Sequence, residues 1–83
     1  MSITENSQAT AIIAKQLRKF RKNANLSQQQ LGDVLGLSNQ QYSKFESGIN
    51  RIYASQILII ANMYSVDANQ FFHDVEFTDN MTK

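Results

Sequence analysis

The stretch LSQQQLGDVLGLSNQQYSKFESG, residues 26 to 48, contains the same helix-start pattern twice. In this pattern a serine at the N-cap is followed three residues later by glutamine, and apolar residues stand directly before and after the pair. Residues 26 to 31 (LSQQQL) and residues 37 to 42 (LSNQQY) both fit it. The stretch therefore predicts helices that begin near residues 28 and 39, with Gly36 ending the first of them.

Two short helices joined by so short a turn are typical of the helix-turn-helix, which places its second helix in the DNA major groove. At about 100° per residue, Tyr42 and Phe45 fall on one side of the second helix, and we expect them to pack on the core. The polar side opposite them contains Gln40, Ser43, Lys44 and Ser47, with Asn39 and Gln41 on its flanks.

The amide side chains at the start of the second helix are suited to reading bases. Asn and Gln can pair with adenine through two hydrogen bonds, and Lys44 can reach guanine or a phosphate. Gln41 has a competing role, because closing the capping box with Ser38 commits its side chain to the backbone. We therefore rank Asn39 and Gln40 above Gln41 as base readers. Polar residues at a helix start are also ordinary solvated caps, and the motif alone leaves both interpretations open.

Three further helices are predicted outside this stretch. One runs from about residue 9 to 23, where apolar residues recur with helical spacing, namely Ile13, Leu17 and Phe20. Ser55 is a candidate cap for another helix, which continues through Tyr64. VDANQF, residues 66 to 71, repeats the capping pattern with Asp67 at the N-cap and predicts a last helix from about residue 68.

These elements predict an all-α fold of five helices, in which helices 2 and 3 form the helix-turn-helix. The 83 residues are enough for a single small core. The chain has no cysteine, so packing, capping and a second subunit are expected to supply its stability. We expect a flexible N-terminus over residues 1 to 8, the domain over residues 9 to 73, and a C-terminal tail over residues 74 to 83.

The charges are unevenly distributed, although the formal net charge is only +1. Residues 10 to 51 contain seven basic and two acidic residues, whereas residues 52 to 83 contain one basic and four acidic residues. The first part is therefore suited to facing phosphates. The plainer alternative is that the helix surfaces are simply charged.

Several classes of protein are disfavoured by the sequence. The longest apolar run, residues 57 to 61, is too short to span a bilayer, and the first residues lack the features of a signal peptide, so we expect a cytoplasmic protein with no membrane partner. The chain offers no glycine-rich phosphate loop and a single histidine, so we expect neither an enzyme nor a bound cofactor. His73, Asp74 and Glu76 are adjacent, but without a second histidine they make a weak metal site, and we predict none.

Residues 10 to 72 resemble a lambda-repressor-like (Xre/Cro type) helix-turn-helix domain, a family of bacterial and phage transcriptional regulators. The segments that carry the resemblance are LRKFR, LSQQQLG, LGLS, FESG and SVDANQFF. The loop after the second helix of the pair, GINRIYAS, resembles one bacterial subgroup of the family. The resemblance implies sequence-specific binding to double-stranded DNA.

The resemblance also implies roles for single residues. Bases would be read by Asn39, Gln40, Ser43 and Lys44. The DNA backbone would be held by Gln28, Gln41, Ser47, Asn50 and Arg51, although Gln28 and Arg51 can equally be solvated surface residues. Arg21 and Glu46 match a partly buried ion pair that ties the first helix to the recognition helix. Arg18, Lys19 and Lys22 are expected to be solvated and to add only long-range attraction.

Two departures from the usual family pattern have consequences. Glycine stands at residue 32, where many members have alanine; it weakens the helix but permits closer approach of the paired helix. The net charge is low for a DNA-binding protein, so a monomer should bind weakly and dimerisation becomes necessary.

Helix 4 has more apolar residues than one core face needs. Ile57, Ile60, Ala61 and Tyr64 suffice for the core, and the surplus predicts a dimer interface formed by Leu58, Ile59, Met63, Phe72, Val75 and Phe77. We expect a symmetric homodimer on a palindromic site. Two alternatives remain: the tail folds back over its own core, or the apolar face covers a partner protein, as in an adaptor or antitoxin with this fold.

Overall fold

The described part of the chain consists of helices joined by short turns. The computed structural model describes the backbone of residues 3 to 72 and the side chains of residues 8 to 72. Its helices are α1 (Ile3–Asn23), α2 (Gln28–Leu35), α3 (Asn39–Glu46) and α4 (Ala54–Tyr64), followed by a short 3-10 helix (Ala68–Phe71). No strand occurs over this range, so the predicted all-α class is confirmed.

The two ends of this helical array differ from the prediction. α1 begins at Ile3 rather than near residue 9, and it therefore includes part of the segment expected to be frayed. No glycine or proline stands between residues 3 and 9, so nothing in the sequence stops the helix from extending beyond its amphipathic part.

The predicted fifth α-helix is only one turn of 3-10 helix. The Asp67 carboxylate accepts a hydrogen bond from the backbone N–H of Asn69 at 2.9 Å, one residue earlier than in a capping box. The N–H of Gln70 then bonds to the backbone carbonyl of Asp67 at 3.1 Å, which closes a tight turn. The local cap was recognised correctly, but the helix that it begins is a 3-10 helix.

The start of α4 was also predicted wrongly. Tyr53, and not Ser55, is the N-cap residue, and its own side chain makes no capping hydrogen bond. Its backbone N–H instead donates to Gln56 Oε1 at 2.9 Å, which satisfies one of the free donors at this end of the helix.

The turn between α2 and α3 has the predicted geometry. At each helix start the serine hydroxyl accepts from a backbone N–H at 3.0 Å, and the glutamine three residues later accepts from the serine N–H; the pairs are Ser27 with Gln30 and Ser38 with Gln41. Gly36 ends α2 with φ +74°, a left-handed conformation that glycine adopts without strain.

At Gly32, α2 packs closely against the turn that follows it. A Cβ atom added there would lie 2.9 Å from the carbonyl oxygen of Leu37 and 3.2 Å from that of Ser38. Both oxygens belong to the backbone of the turn, so no side-chain rotation can move them away from the added atom. The glycine therefore leaves room for the short turn, whereas the sequence predicted that it would permit closer approach of the paired helix.

A single apolar core fixes the position of α3. It is formed by residues from every element: Leu17, Phe20, Leu31, Tyr42, Ile57, Ile60, Ala61 and Phe71. The ring of Phe20 packs against Tyr64 and Phe71, with ring centroids 5.7 and 5.3 Å away. Tyr42 is the residue that inserts α3 into this core, and it is fully buried.

Some predicted features lie outside the described residues. These are the whole predicted tail, residues 74 to 83, which includes Val75 and Phe77, and the adjacent residues His73, Asp74 and Glu76. Among the residues that the structure does describe, no helix is long and apolar enough to cross a membrane.

Candidate nucleic-acid interface

α3 is held from one side by two aromatic residues. Tyr42 is buried, Phe45 is half-buried, and their rings meet edge to face with centroids 6.0 Å apart. This leaves the opposite side of the helix facing outward, where Asn39, Gln40, Lys44 and Ser47 are exposed. Most of the predicted polar side of α3 is therefore accessible.

The hydroxyl groups on this polar side are partly engaged by the helix itself. Ser43 Oγ donates to the backbone carbonyl of Gln40 at 2.9 Å, and Ser47 Oγ donates to that of Lys44 at 3.2 Å. Each hydroxyl oxygen keeps its capacity to accept a hydrogen bond. Ser43 is half-buried, so it is less accessible than its exposed neighbours on α3.

The side chain of Gln41 is divided between two tasks. Its Oε1 accepts from the Ser38 backbone N–H at 2.8 Å and completes the capping box. Its exposed –NH₂ group remains a donor. Such an arrangement is suited to binding a phosphate oxygen, whereas pairing with adenine requires the carbonyl as well.

Arg21 and Glu46 connect α1 to the end of α3. Arg21 Nε lies 2.8 Å from Glu46 Oε2, and Arg21 Nη2 lies 3.1 Å from Glu46 Oε1, so the pair has two parallel hydrogen bonds. Arg21 Nη1 also donates to the carbonyl of Leu26 at 3.1 Å, in the turn before α2. Glu46 is only 4% exposed, and it is the one buried charged residue in the described core.

Gln28 joins this pair from the start of α2. Its Nε2 donates to Glu46 Oε1 at 3.2 Å, across 18 positions of sequence. One carboxylate thus holds side chains from α1 and α2 together at the base of α3. We call Arg21, Gln28 and Glu46 the Glu46 network. The second amide hydrogen and the carbonyl oxygen of Gln28 remain available to a ligand.

The Glu46 network shifts the pKa values of Arg21, Glu46 and the adjacent Tyr42. Burial raises the pKa of the Glu46 carboxyl, but the hydrogen bonds from Arg21 and Gln28 outweigh it, and the net pKa lies below its usual range. The hydrogen bond to Glu46 raises the pKa of Arg21. Burial, aided by Glu46, raises the pKa of the Tyr42 hydroxyl well above its usual range. That hydroxyl has no hydrogen-bond partner of normal geometry among the described residues, so we attribute the effect of Glu46 on it to charge.

The loop after α3 is fixed against the end of the helix. Gly48 adopts φ +80°, and the N–H groups of Ile49 and Asn50 both bond to the carbonyl of Lys44, at 3.0 and 3.1 Å. This turn keeps Asn50 and Arg51 exposed next to the polar side of α3. Ile49 projects into solvent at the same place, and its side chain is 71% exposed.

Two grooves border α3 on the side of α1. The first, of about 650 Å³, lies between α3 and the second half of α1, and Arg18 and Lys22 line it together with Gln40 and Lys44. The second, of about 610 Å³, lies between α1 and the loop after α3, and its lining includes Lys15 and Arg51. Sequence reasoning missed Arg18, Lys22 and Ile49 as part of this surface, because helical spacing does not reveal which exposed side of α1 faces α3.

The surplus apolar residues of α4 are exposed. The exposed fractions are 53% for Leu58, 45% for Ile59 and 59% for Met63. Phe72, the other described member of the predicted interface, is half-buried and packs against the core. Tyr53, at the start of α4, is a further exposed aromatic residue that the prediction did not include.

Comparison with known proteins identifies the family. A family model described as helix-turn-helix matches residues 17 to 71. The chain belongs to the lambda-repressor-like helix-turn-helix family. The predicted resemblance is therefore confirmed, and since members of this family are DNA-binding proteins and not enzymes, so is the prediction that the chain is not an enzyme.

Related members of the family occur in several bacteria. An HTH-type transcriptional regulator of Sinorhizobium fredii is 34% identical over 64 residues, which are 77% of this chain and 45% of that protein. A transcriptional regulator encoded in the ATPase CF(0) region of Rhodospirillum rubrum is 38% identical over 69 residues, 83% of this chain and 64% of that protein. An HTH-type transcriptional regulator of Rickettsia conorii is 33% identical over 66 residues, 80% and 53% of the two chains.

The helix-turn-helix domain is only part of these relatives. The chain spans about half the length of the curated relatives it matches, for example 45% of the Sinorhizobium fredii protein. No solved structure matches the chain significantly.

Proposed function

We propose that this chain binds a specific sequence of double-stranded DNA as a homodimer, with α3 in the major groove, and regulates transcription. The observation that carries the proposal is the exposed polar side of α3, opposite the buried Tyr42. Membership of the helix-turn-helix family and the names of the relatives, which are transcriptional regulators, support it.

Base reading is assigned to the polar side of α3. Asn39 and Gln40 are exposed and have no competing hydrogen bond from their side chains among the described residues, so both can pair with adenine. Lys44 lies one turn further along the same side and can donate to guanine. Ser43 has its hydroxyl hydrogen directed to the backbone, so it would act as an acceptor from a base amino group.

Backbone binding is assigned to residues that surround α3. The free amide donors of Gln28 and Gln41 lie at the starts of α2 and α3, while Ser47, Asn50 and Arg51 lie at the other end of α3. Contacts to phosphates fix the register of a protein on DNA, and contacts to bases supply the specificity.

The exposed apolar residues of α4 support a symmetric dimer. Leu58, Ile59 and Met63 lie together on one helix, and covering them would remove apolar surface from water. In this proposal Phe72, Val75 and Phe77 extend the interface. A dimer of this kind sets two α3 helices about 34 Å apart, so the site is an inverted repeat.

The experiment is a selection of genomic DNA fragments by the 83-residue chain at near-physiological salt, followed by affinity measurements on the enriched fragment. We expect an inverted repeat. The double substitution Gln40→Ala/Lys44→Ala should then reduce the preference for this fragment over mixed-sequence DNA by at least tenfold, since each good base contact is worth about 1–3 kcal/mol. No enrichment of any sequence by the wild-type chain would contradict the proposal.

A second candidate is a protein-binding adaptor or antitoxin. It is favoured by the same exposed apolar residues of α4, which would then cover a partner chain and not a second copy. The two candidates respond oppositely to mutation. Gln40→Ala/Lys44→Ala should leave an adaptor fully active in partner binding, whereas substitutions on α4 should abolish that activity.

A further inference from the structure

The side of α1 that faces α3 carries a row of basic residues. Arg18 and Lys22 lie one helical turn apart, so their side chains project from the same side of α1. Both line the groove of about 650 Å³ whose opposite wall is formed by Gln40 and Lys44 of α3. We call this space the α1–α3 groove.

The α1–α3 groove is strongly cationic. Its lining contains four basic residues and one acidic residue, a formal charge of +3. The acidic residue is Glu46, whose charge is already compensated by the two hydrogen bonds from Arg21. Arg18 and Lys22 are exposed, and no described residue forms an ion pair or a hydrogen bond with either. Their charges are therefore available to an anionic ligand.

The row of basic residues continues beyond this groove. The neighbouring groove, of about 610 Å³, shares Arg18, Glu46, Ser47 and Ile49 with the first and adds Lys15 from α1 and Arg51 from the loop. Lys15, Arg18 and Lys22 lie within about 60° of one another on α1, at about 100° per residue. The cations thus form a line beside α3, from Lys22 at one end to Arg51 at the other.

This line suits one DNA strand. The major groove is about 12 Å wide, so a helix inserted in it has a sugar–phosphate strand along each side. A strand that passes α3 on the side of α1 would meet Lys22, Arg18 and Arg51 in succession, with Gln28 at the same wall of the groove.

We propose that Arg18 and Lys22 bind phosphates of the strand next to α3, so that the DNA interface extends from the helix-turn-helix onto α1. This inference rests on the proposed function, and it replaces the expectation that these two residues act only at long range. The occupant of the α1–α3 groove is the DNA backbone, which requires positive charge but no particular sequence.

The test compares Lys22→Gln with Lys19→Gln. Both residues are exposed on α1, and both substitutions remove the same charge, but Lys19 lines neither groove. The affinity for DNA is measured by fluorescence anisotropy from about 50 to 200 mM salt. Each lost phosphate contact makes the slope of log K against log salt shallower by about 0.9. We expect this change for Lys22→Gln and for Arg18→Gln, and a much smaller one for Lys19→Gln.

Two probes keep this inference distinct from the proposed function. The duplexes are the enriched genomic fragment and a mixed-sequence duplex of equal length, and the slope should change on both while the preference between them is retained. Equal slopes for Lys22→Gln and Lys19→Gln would overturn the α1 contact even if the wild type selects a sequence. A wild type that binds both duplexes equally would overturn sequence-specific function, yet a difference between these slopes would still support the α1 contact. Thermal unfolding of each variant verifies that the fold is intact.

Discussion

At the scale of single residues, Glu46 is important because it connects α3 to both α1 and α2. It is buried, it accepts two hydrogen bonds from Arg21, and it accepts a third from Gln28. Removing either charged partner of such a buried ion pair strongly destabilises a protein, because the remaining charge is left without compensation.

Glu46→Gln should lower the free energy of unfolding by about 3 kcal/mol at neutral pH, because Arg21 then lacks its counter-charge. The difference from wild type should depend on pH. The pKa of Glu46 in the folded protein lies below the ordinary value of 4.5, so the unfolded state binds the proton more readily. The stability that the carboxylate contributes is therefore complete above about pH 5 and is lost as the pH falls through the folded pKa.

Chemical unfolding of wild type and Glu46→Gln at several pH values checks this prediction. The difference in the free energy of unfolding between wild type and Glu46→Gln should decrease steadily as the pH is lowered. Asp33→Asn is a suitable control, since Asp33 is an exposed carboxylate on α2. A gap for Glu46→Gln that stays constant down to about pH 3 would show that its charge does not stabilise the fold.

Ser65 is a second residue with a specific conformational cost. It ends α4 in the left-handed region with φ +56°, where side chains other than those of Asn and Asp are strained. Ser65→Gly should raise the free energy of unfolding by about 0.5 kcal/mol, visible as a higher Tm. Asn25, with φ +60°, offers a matched control, because Asn tolerates this region. Asn25→Gly should therefore raise the free energy of unfolding by less than Ser65→Gly does. An equal gain at both positions would mean that strain at Ser65 is not the cause.

At the scale of helices, the sequence predicted best what depends on neighbours along the chain. Both capping boxes need residues only three positions apart, and both formed as expected. α4 begins earlier than predicted, because the residue that satisfies its first N–H group is Gln56 inside the helix, and Tyr53 at the N-cap gives no sequence signal. The hydrogen bond between Gln28 and Glu46 spans 18 positions, and only the packing of α2 against α3 brings the two together.

The close approach of α2 to the following turn gives a prediction at this scale. Alanine has a higher helix propensity than glycine by about 1 kcal/mol, so propensity alone favours Gly32→Ala. The added Cβ would meet the backbone oxygen of Leu37 at 2.9 Å, and overpacking typically costs about 1–3 kcal/mol. We expect a net loss of about 1 kcal/mol, and a Tm lower by about 4–8 °C.

Differential scanning calorimetry is the direct measurement for Gly32→Ala. A Tm equal to or above that of wild type would mean that the turn relaxes to admit the methyl group. A large loss would show that the turn after α2 tolerates no side chain at this position.

At the scale of the whole molecule, the described surface has two contrasting sides. α1, α3 and the loop after α3 present basic and amide groups, and α4 presents Leu58, Ile59 and Met63. The sequence predicted the polar side of α3 and the apolar residues of α4 from residue spacing. It could not predict that α1 shares grooves with α3, since the relative rotation of two helices is determined by their packing in the core.

Ile59→Asp tests whether the apolar side joins two copies. A charge at the centre of an apolar interface must be desolvated without a partner, so we expect a monomer. Sedimentation velocity without DNA gives the size. Affinity for an inverted repeat should fall by at least tenfold, while the weak affinity for a single half-site is retained.

Ile49→Asp is the matched control for the dimer. It introduces the same change at an exposed isoleucine, but next to α3 and away from α4. This variant should remain a dimer and lose DNA affinity by charge repulsion from phosphates. A dimer for both variants would exclude α4 as the subunit interface.

The Glu46 network has a consequence for the proposed binding of α3 to DNA. Because one carboxylate is bonded to α1 and α2 at once, α3 cannot pivot without breaking a buried contact. In the proposed complex α3 therefore approaches DNA pre-organised, and little conformational entropy is spent on orienting it during association. On this proposal, contacts with α1 and α2 set the angle at which the amides of α3 reach the bases, so we expect a substitution at Arg21 to alter sequence discrimination from a distance.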